Sequence, residues 1–347
     1  MWSVFKKQNK IYNLGIDIGT SSIKMVELLH DGNNIKLNNY AQFFAKGDYI
    51  STHSGSFNIL DSQIANVLQD MYSGAGFVAK RATMALPVFS SFATLIDLPS
   101  MGDDELQDAV QYEVRKYIPV PIGEVQFDWM KVDSISNPQK FKVLTVAVPN
   151  EIVNRYNKLS KMINIELTTM ELETFSSARA LIPADNQDIL AVLDIGSRTT
   201  NISVVDRSIV VMHHNIDYGG ASATRTIARG MSIDMERAEE LKKKDGMKSS
   251  DSNALELIRI SLDKILTESQ QVLDNYVQEG GQRASKLMLC GGTALMPGLV
   301  EYVKEVLRID VEIGNPFRAV EIPNSLKNML GVNSPDFSVA VGLALRK

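Results

Sequence analysis

Two short runs in this chain could handle a phosphate group. In Leu14-Gly-Ile-Asp17-Ile-Gly19-Thr20-Ser21-Ser22-Ile-Lys24 an apolar run ends in an aspartate, a Gly-hydroxyl turn follows, and a second apolar run begins. Ala191-Val-Leu-Asp194-Ile-Gly196-Ser197-Arg198-Thr199-Thr200 repeats the arrangement. A phosphate needs several N–H and O–H donors converging on it, with no Cβ holding the backbone away, and Gly19, Thr20, Ser21 and Ser22 meet that need. Lys24 is placed to add a positive point charge, and Asp17, at its strand end, to hold Mg2+ through water. The second turn offers Gly196, Ser197 and Thr199, with Asp194 in the place of Asp17. A lone turn of this kind commonly joins two strands and does nothing more. Two copies facing across a cleft would clamp one polyphosphate. A third run, Cys290-Gly291-Gly292-Thr293-Ala-Leu-Met-Pro297-Gly298, follows an apolar strand and precedes a helix, which suits a flat base lying against exposed backbone.

The elements that must carry these turns can be read from periodicity. Each repeat reads as a β-hairpin, so two related lobes are expected. Ile64, Val67, Leu68 and Met71 put a helix over Asp61–Tyr72, stopped by Ser73-Gly-Ala-Gly76, with a strand at Arg81–Leu86. Pro87 and Pro99 bracket a further strand. Leu106, Val110, Val114 and Tyr117 mark a helix ended by Pro119 and Pro121. An alternating strand at Val125–Val132, a turn at Ser136-Asn-Pro-Gln, a strand at Phe141–Val148 and a helix capped by Asn150 follow, the helix turning Ile152, Val153, Tyr156, Leu159 and Ile163 inward. Residues 83–160 therefore read as a small α+β insertion. Beyond the second hairpin, helices are expected at Met235–Lys244 and Ala254–Tyr276, the longer one buried along Leu255, Ile258, Leu262, Ile265 and Leu273. Lys286–Cys290 reads as a strand, a helix should follow Gly298, and Phe337–Leu345 is apolar enough to pack. The run Lys242–Lys244 reads as a solvated helix face.

Composition removes several classes. The chain has 347 residues, 44% of them hydrophobic and 22% charged, with a net charge of −5. That is the composition of a folded globular protein of two or three domains, without the basic footprint of a nucleic-acid binder. The single Cys290 cannot form an intrachain disulfide, and His30, His53, His213 and His214 show no zinc spacing, so a reducing compartment is expected. The longest stretch free of Asp, Glu, Lys and Arg, Ala82–Ile96, is 15 residues, short of the roughly 20 that span a bilayer. Trp2, Val4, Phe5 and Lys6-Lys7 could touch a membrane surface, but so short a segment offers little apolar area, and a frayed terminus is the better reading. Gly74-Ala-Gly76 follows a helix and precedes a strand, the reverse of a dinucleotide fingerprint. Neither Gly-x-x-x-x-Gly-Lys-Ser/Thr nor Gly-x-Ser-x-Gly occurs.

In this order the three runs resemble the two phosphate loops and the adenosine loop of the actin, hexokinase and chaperone-ATPase superfamily. Within it the chain is similar to the PilM family of type IV pilus assembly, with FtsA as a near relative. The resemblance adds Tyr112-Glu-Val-Arg-Lys-Tyr-Ile-Pro-Val-Pro121, Phe127-Asp-Trp, Gly219-Gly220-Ala-Ser-Ala-Thr224 and Val339-Ala-Val-Gly342-Leu-Ala-Leu-Arg346. It implies an α/β, two-lobed actin-like ATPase fold of duplicated RNase H-like lobes with an FtsA/PilM-type α+β insert. The first lobe would comprise 1–82 and 161–185 with 337–347 packing back, the insert 83–160, and the second lobe 186–336 with a helical subdomain near 231–285. ATP and Mg2+ are the implied cofactors. Asp17, Gly19, Thr20, Ser21, Ser22 and Lys24 would form the first phosphate loop, and Asp194, Gly196, Ser197 and Thr199 the second. Gly291, Gly292 and Thr293 would face adenosine, and Glu239 and Lys242 the ribose and adenine. Asp17 and Asp194 would reach Mg2+ through water, and Glu173 would orient a water, with Asp194 as its companion in catalysis.

Ser197-Arg198 stands where actin and many relatives have an acidic residue or glycine, so binding with slow or absent hydrolysis is expected. The implied partner is the cytoplasmic N-terminal tail of a PilN-like inner-membrane protein, bound near the insert, with other pilus inner-membrane or motor components and self-association as further prospects. That would place the protein in the cytoplasm at the inner face of the membrane, held there indirectly. An FtsA-like division scaffold and a small-molecule kinase on the same superfold are the alternatives.

Overall fold

A computed structural model describes residues 10–44, 60–132, 140–330 and 334–346. The membrane-touching pattern at Trp2–Lys7 and the turn at Ser136–Gln139 lie outside the described residues. The chain opens with β1 (Ile11–Ile18), β2 (Ser22–Asp31) and β3 (Asn34–Phe44), joined as successive antiparallel pairs. Helix α1 (Asp61–Gly74) buries Ile64, Ala65 and Leu68, which lie within about one turn on one face, while Val67 and Met71 are half-buried. Gly76, at φ +68°, takes the left-handed turn that releases the chain into β4 (Arg81–Leu86).

The inserted segment holds β5 (Phe92–Pro99), α2 (Asp103–Val114), β6 (Val125–Val132) and β7 (Lys140–Pro149), the strands forming a sheet in the order β5-β7-β6. Leu106, Val110 and Val114 of α2 are buried against this sheet. Tyr117 is not the next inward position expected: α2 ends at Val114 and Tyr117 is exposed, while Ile118 takes the buried place. Helix α3 (Asn150–Met162) buries Val153, Tyr156 and Leu159, with Ile163 just beyond it, and leaves Ile152 half-buried. The Asn150 side-chain amide donates to Gly123 O at 2.9 Å, tying the helix start to the loop before β6.

The chain continues through β8 (Glu166–Leu172), α4 (Glu173–Leu181), β9 (Ile189–Ile195), β10 (Thr200–Asp206) and β11 (Ile209–Ile216). Then come α5 (Gly220–Met231), α6 (Met235–Lys244), α7 (Ser252–Gln278), β12 (Lys286–Cys290), α8 (Leu299–Leu307) and β13 (Asp310–Ile313). α9 (Asn324–Leu330) and α10 (Ser338–Leu345) complete the order. α7 buries Ile258, Leu262 and Ile265 as expected, with Leu255 and Leu273 half-buried.

Two five-stranded sheets share one plan, β3-β2-β1-β4-β8 and β11-β10-β9-β12-β13. In each, three antiparallel strands are followed by a strand parallel to the first, β4 against β1 and β12 against β9. The expected hairpins are therefore three-stranded meanders, extended by β3 and β11.

Tertiary contacts divide the chain into two units. One comprises Met1–Ala85, Lys158–Leu181 and Gly314–Lys347; the other comprises Leu86–Asn157 and Ile182–Ile313. Residues 314–336, expected with the second lobe, pack in the first unit, where Glu321 N donates to Ile35 O (2.8 Å) and Leu37 N to Glu321 O (2.9 Å). α10 is apolar on every side and almost wholly buried. It lies so close to β1 and α4 that neither Gly15 nor Gly342 has room for a Cβ: one on Gly15 would come to 2.8 Å of Ala344 N, and one on Gly342 to 2.9 Å of Ser176 Cα. Buried Glu171 accepts from Arg179 and pairs with Arg346 at 3.1 Å, and Arg179 donates to Gly342 O, which ties the helix down electrostatically as well. The second unit is built around Leu193, Ile202, Ile227, Ile258, Leu262 and Leu289, with the inserted sheet holding its own core.

Candidate functional site

The pairing of β1 with β2 sets Asp17 opposite Lys24, and Gly19 N donates to Ser22 O at 3.0 Å to close the turn between them. Thr20 is half-buried, Ser21 exposed and Ser22 buried. Lys24 is buried, and its ammonium lies 3.0 Å from Asp336 Oδ1 and 3.8 Å from Asp17 Oδ2. Asp336 also accepts from Gln42 Nε2 at 2.6 Å. Lys24 is thus clasped by two carboxylates, one of them supplied by the short 3-10 turn that precedes α10. Burial pushes the Asp17 carboxyl above its ordinary pKa, the Asp336 charge adds to that rise, and Lys24 opposes both.

Glu173 begins α4, half-buried, directly after β8. Glu166 N donates to Lys80 O and Thr168 Oγ1 to Ala82 O, so β8 advances parallel to β4. The same edge of the sheet therefore carries Asp17 at the end of β1 and Glu173 beyond the end of β8.

The second turn repeats the first in detail. Gly196 N donates to Thr199 O at 3.1 Å, and a Cβ on Gly19 or Gly196 would sit 3.0 or 2.9 Å from the carbonyl that closes its own turn. Asp194 stands in register with Asn201 on β10 and Cys290 on β12. Immediately after Cys290, Gly291 adopts φ +86°, and a Cβ there would reach 2.6 Å from Ile195 O; only glycine brings the third loop this close to the second turn. Thr293 N donates to Ile195 O at 3.3 Å. Ser197 is half-buried, Thr199 and Thr293 are buried, and Gly292 is exposed.

Helix α5 fastens the arrangement. Gly220 N donates to Gly196 O (2.9 Å) and Ala221 N to Ser197 O (2.8 Å), so the first N–H groups of the helix hold the turn. A Cβ on Gly220 would lie 2.5 Å from Thr293 Oγ1 and 3.3 Å from Lys242 Nζ. Lys242 was expected both at the ribose and on a solvated face. Its neighbours Lys243 and Lys244 are exposed, but Lys242 is buried and donates to Gly220 O (3.0 Å), Thr224 Oγ1 (2.9 Å) and Glu239 Oε2 (2.6 Å). Burial lowers the Lys242 pKa against the pull of Glu239. Burial works equally against an ionised Glu239, but Lys242, Thr224 and Lys243 together outweigh it and hold that carboxyl below its ordinary value.

Within the second unit, Asp194 at the end of β9, the loop residues Gly196, Ser197, Thr199, Gly291, Gly292 and Thr293, and Glu239 and Lys242 of α6 thus fall on elements that interlock. In the first unit, Asp17, Gly19, Thr20, Ser21, Ser22 and Lys24 share one turn, and Glu173 shares its sheet edge. Sequence reasoning missed three contributors. Gly220 and Thr224 were signalled by a Gly-Gly pair opening a helix. Asp336 had no local signal, because its meaning lies in Lys24, far away along the chain.

A family model described as type IV pilus assembly protein PilM matches residues 15–347. The cell division protein FtsA of Bacillus subtilis (strain 168) is 24% identical over 61% of this chain and 52% of its own length, so the chain spans about half of that relative. FtsA of Staphylococcus epidermidis (strain ATCC 35984) is 20% identical over 95% of this chain and 77% of its own length. Among solved structures, a PilM-PilN type IV pilus biogenesis complex superposes with a TM-score of 0.83 at 24% identity, covering 96% of this chain and 98% of that one. The ethanolamine utilization protein EutJ of Carboxydothermus hydrogenoformans follows at 0.57, with 18% identity over 96% and 89% of the two chains. MreB5 of Spiroplasma citri, solved with ADP, gives 0.54 at 13% identity over 96% and 94%. These likenesses establish the α/β actin-like fold. Among the described residues no helix is long and apolar enough to cross a membrane.

Proposed function

The chain belongs to the PilM family of type IV pilus assembly proteins, and on that premise we propose that it is an ATP-binding adaptor whose nucleotide state tunes its grip on the cytoplasmic N-terminal tail of a PilN-like inner-membrane protein. The observation that carries the nucleotide half is the interlocking of three loops in the second unit, with Gly220 and Gly291 leaving no space for a Cβ and Lys242 buried at their centre. That donor set suits a nucleotide: small residues around an exposed Gly292, hydroxyls at Ser197, Thr199 and Thr293, and a cation held by Glu239. The turn at Gly19–Ser22 is closed by the same backbone hydrogen bond as the second turn and would offer phosphate a like set of donors. Asp17 and Asp194 would hold Mg2+ through water, and Glu173 would orient a water. Mg2+, when bound, supplies positive charge to the phosphates. Ser197-Arg198 in place of an acidic residue or glycine supports slow or absent hydrolysis. The partner half is supported by family membership and by the likeness to a PilM solved together with PilN. Such a partner would bring the protein to the inner face of the cytoplasmic membrane.

Calorimetry with Mg-ATP on the full chain tests the nucleotide half, and the expected result is micromolar binding that Gly292→Val abolishes. A pull-down with a peptide of a PilN-like tail, with and without Mg-ATP, tests the adaptor half. Equal failure to bind in both states would sink that half, and an acceptor-dependent burst of ADP would point to a kinase instead.

A further inference from the structure

Arg198 lies in the middle of the second turn, and its guanidinium meets an aromatic ring and a carboxylate. Its carbon is 5.0 Å above the centre of the Phe89 ring, and its Nε is 3.6 Å from Asp217 Oδ1. Phe89 belongs to the short 3-10 turn Val88–Ser90, which leads from β4 into the inserted segment. It lines a cavity of about 370 Å3 together with Phe92, Tyr117, Ile118, His213 and Asn215. Asp217 directly follows β11, the strand that brings His213 and Asn215 to that cavity. A second connection runs beside the first: Asn215 Nδ2 donates to Asn201 Oδ1 at 2.7 Å, and Asn201 stands in register with Asp194.

We propose that Arg198 is a positioning residue that couples a phosphate at the second turn to the shape of this cavity: a bound nucleoside triphosphate draws the guanidinium off Phe89 and Asp217, and the released ring changes the cavity wall. The inference rests on the nucleotide reading above and adds a route out of that site. A guanidinium over an accessible ring and a 3.6 Å pair with an exposed carboxylate are both weak holds. A phosphate, which accepts two charge-assisted hydrogen bonds from the guanidinium fork, is the stronger partner. Phosphate and Phe89 therefore compete for one side chain, and competition is reciprocal. Removing the ring leaves the guanidinium easier to recruit, so a substitution outside the phosphate loops should tighten nucleotide binding. Loss of a merely structural residue would not produce that sign.

His213 reports the cavity side. Both of its ring nitrogens are buried with no hydrogen-bond partner among the described residues, so its resonances respond to any change in the wall around it. The experiment uses the full chain labelled with 13C and 15N at histidine, with the His213 signals assigned through His213→Gln, titrated with Mg-ATP while calorimetry on the same preparation reads Kd. The expected result is a His213 shift that saturates with nucleotide. Phe89→Leu should bind Mg-ATP about two- to five-fold more tightly with a diminished His213 response, and Phe89→Tyr, which keeps the ring face, should behave as the unsubstituted protein does. Nucleotide binding that leaves His213 unmoved, or a Phe89→Leu affinity equal to or weaker than the parent's, overturns the coupling while the nucleotide reading stands. Absence of any Mg-ATP binding by the folded parent overturns both.

Discussion

The ion pair between Glu239 and Lys242 predicts an asymmetry. Its two side chains are 34% and 6% exposed, so removing either partner leaves a different remnant. Glu239→Gln would strand the Lys242 ammonium in the interior with two neutral acceptors, Gly220 O and Thr224 Oγ1. Lys242→Met would leave a carboxylate that is one-third open to water and still has Lys243 at 3.2 Å. Breaking a fully buried pair costs about 3–5 kcal/mol because a charge is left uncompensated. The solvent access of Glu239 and the ability of Lys242 to shed its proton both reduce that. We therefore expect about 2–3 kcal/mol for Glu239→Gln and about 1 kcal/mol for Lys242→Met, or melting temperatures lower by about 4–12 °C and 2–4 °C. The double variant should resemble Lys242→Met alone, since no buried charge remains. Urea and thermal unfolding followed by circular dichroism read all three. A pH series adds a check of sign. Lys242 has a lowered pKa in the folded protein, so below 10.5 the unfolded chain binds more protons, and the contribution of Lys242 to stability rises with pH through that window. Subtracting the Lys242→Met series from that of the parent isolates this rise. The reasoning fails if Lys242→Met proves the costlier substitution, or if the double variant loses the sum of the two.

Further expectations concern the first unit. Gly342→Ala sets a methyl against the backbone of Ser176, which cannot move aside, and should cost about 3 kcal/mol, the upper part of the overpacking range; calorimetry should show melting lower by about 6–12 °C. Gly74→Ala, with open space around it, is the control and should be neutral or slightly stabilising. Asp17→Asn should raise stability at neutral pH while weakening Mg-ATP binding. The raised Asp17 pKa means the folded state holds its proton above pH 3.8, so ionisation costs stability as pH rises through that window. The advantage of the variant in unfolding experiments should therefore vanish as the pH is lowered to where Asp17 is protonated, and an advantage that persists at low pH would refute the assignment.

Much of this architecture was legible because its signals are local. The two Asp-x-Gly turns announce themselves by repetition, and the structure extends that repeat to whole sheets and to the bond closing each turn. α1, α6, α7 and the Lys286–Cys290 strand follow from apolar spacing and glycine stops. β3 was not legible: most of its residues are half-buried, so it lacks the alternation that marks a strand with one wet and one dry face. Lys242 reads as solvated because it begins a run of three lysines, yet helical geometry turns one of the three inward. Asp336 and Phe89 carry meaning only through Lys24 and Arg198, which no pattern along the chain connects to them.

The seating of α10 against β1 and α4 also bears on biogenesis. The sheet it covers is translated first, yet its lid, residues 338–345, leaves the ribosome only after the whole insert and the second repeat have been made. At about 5–20 residues per second the interval from the end of β4 is about 13–50 s. Throughout it, the face that Ala340, Val341 and Ala344 will cover, including Val26, Leu28 and Leu37, has no native covering. The nascent chain must therefore shelter an unfinished hydrophobic surface, and the first unit should reach its native stability only once residues 338–345 have emerged to cover it.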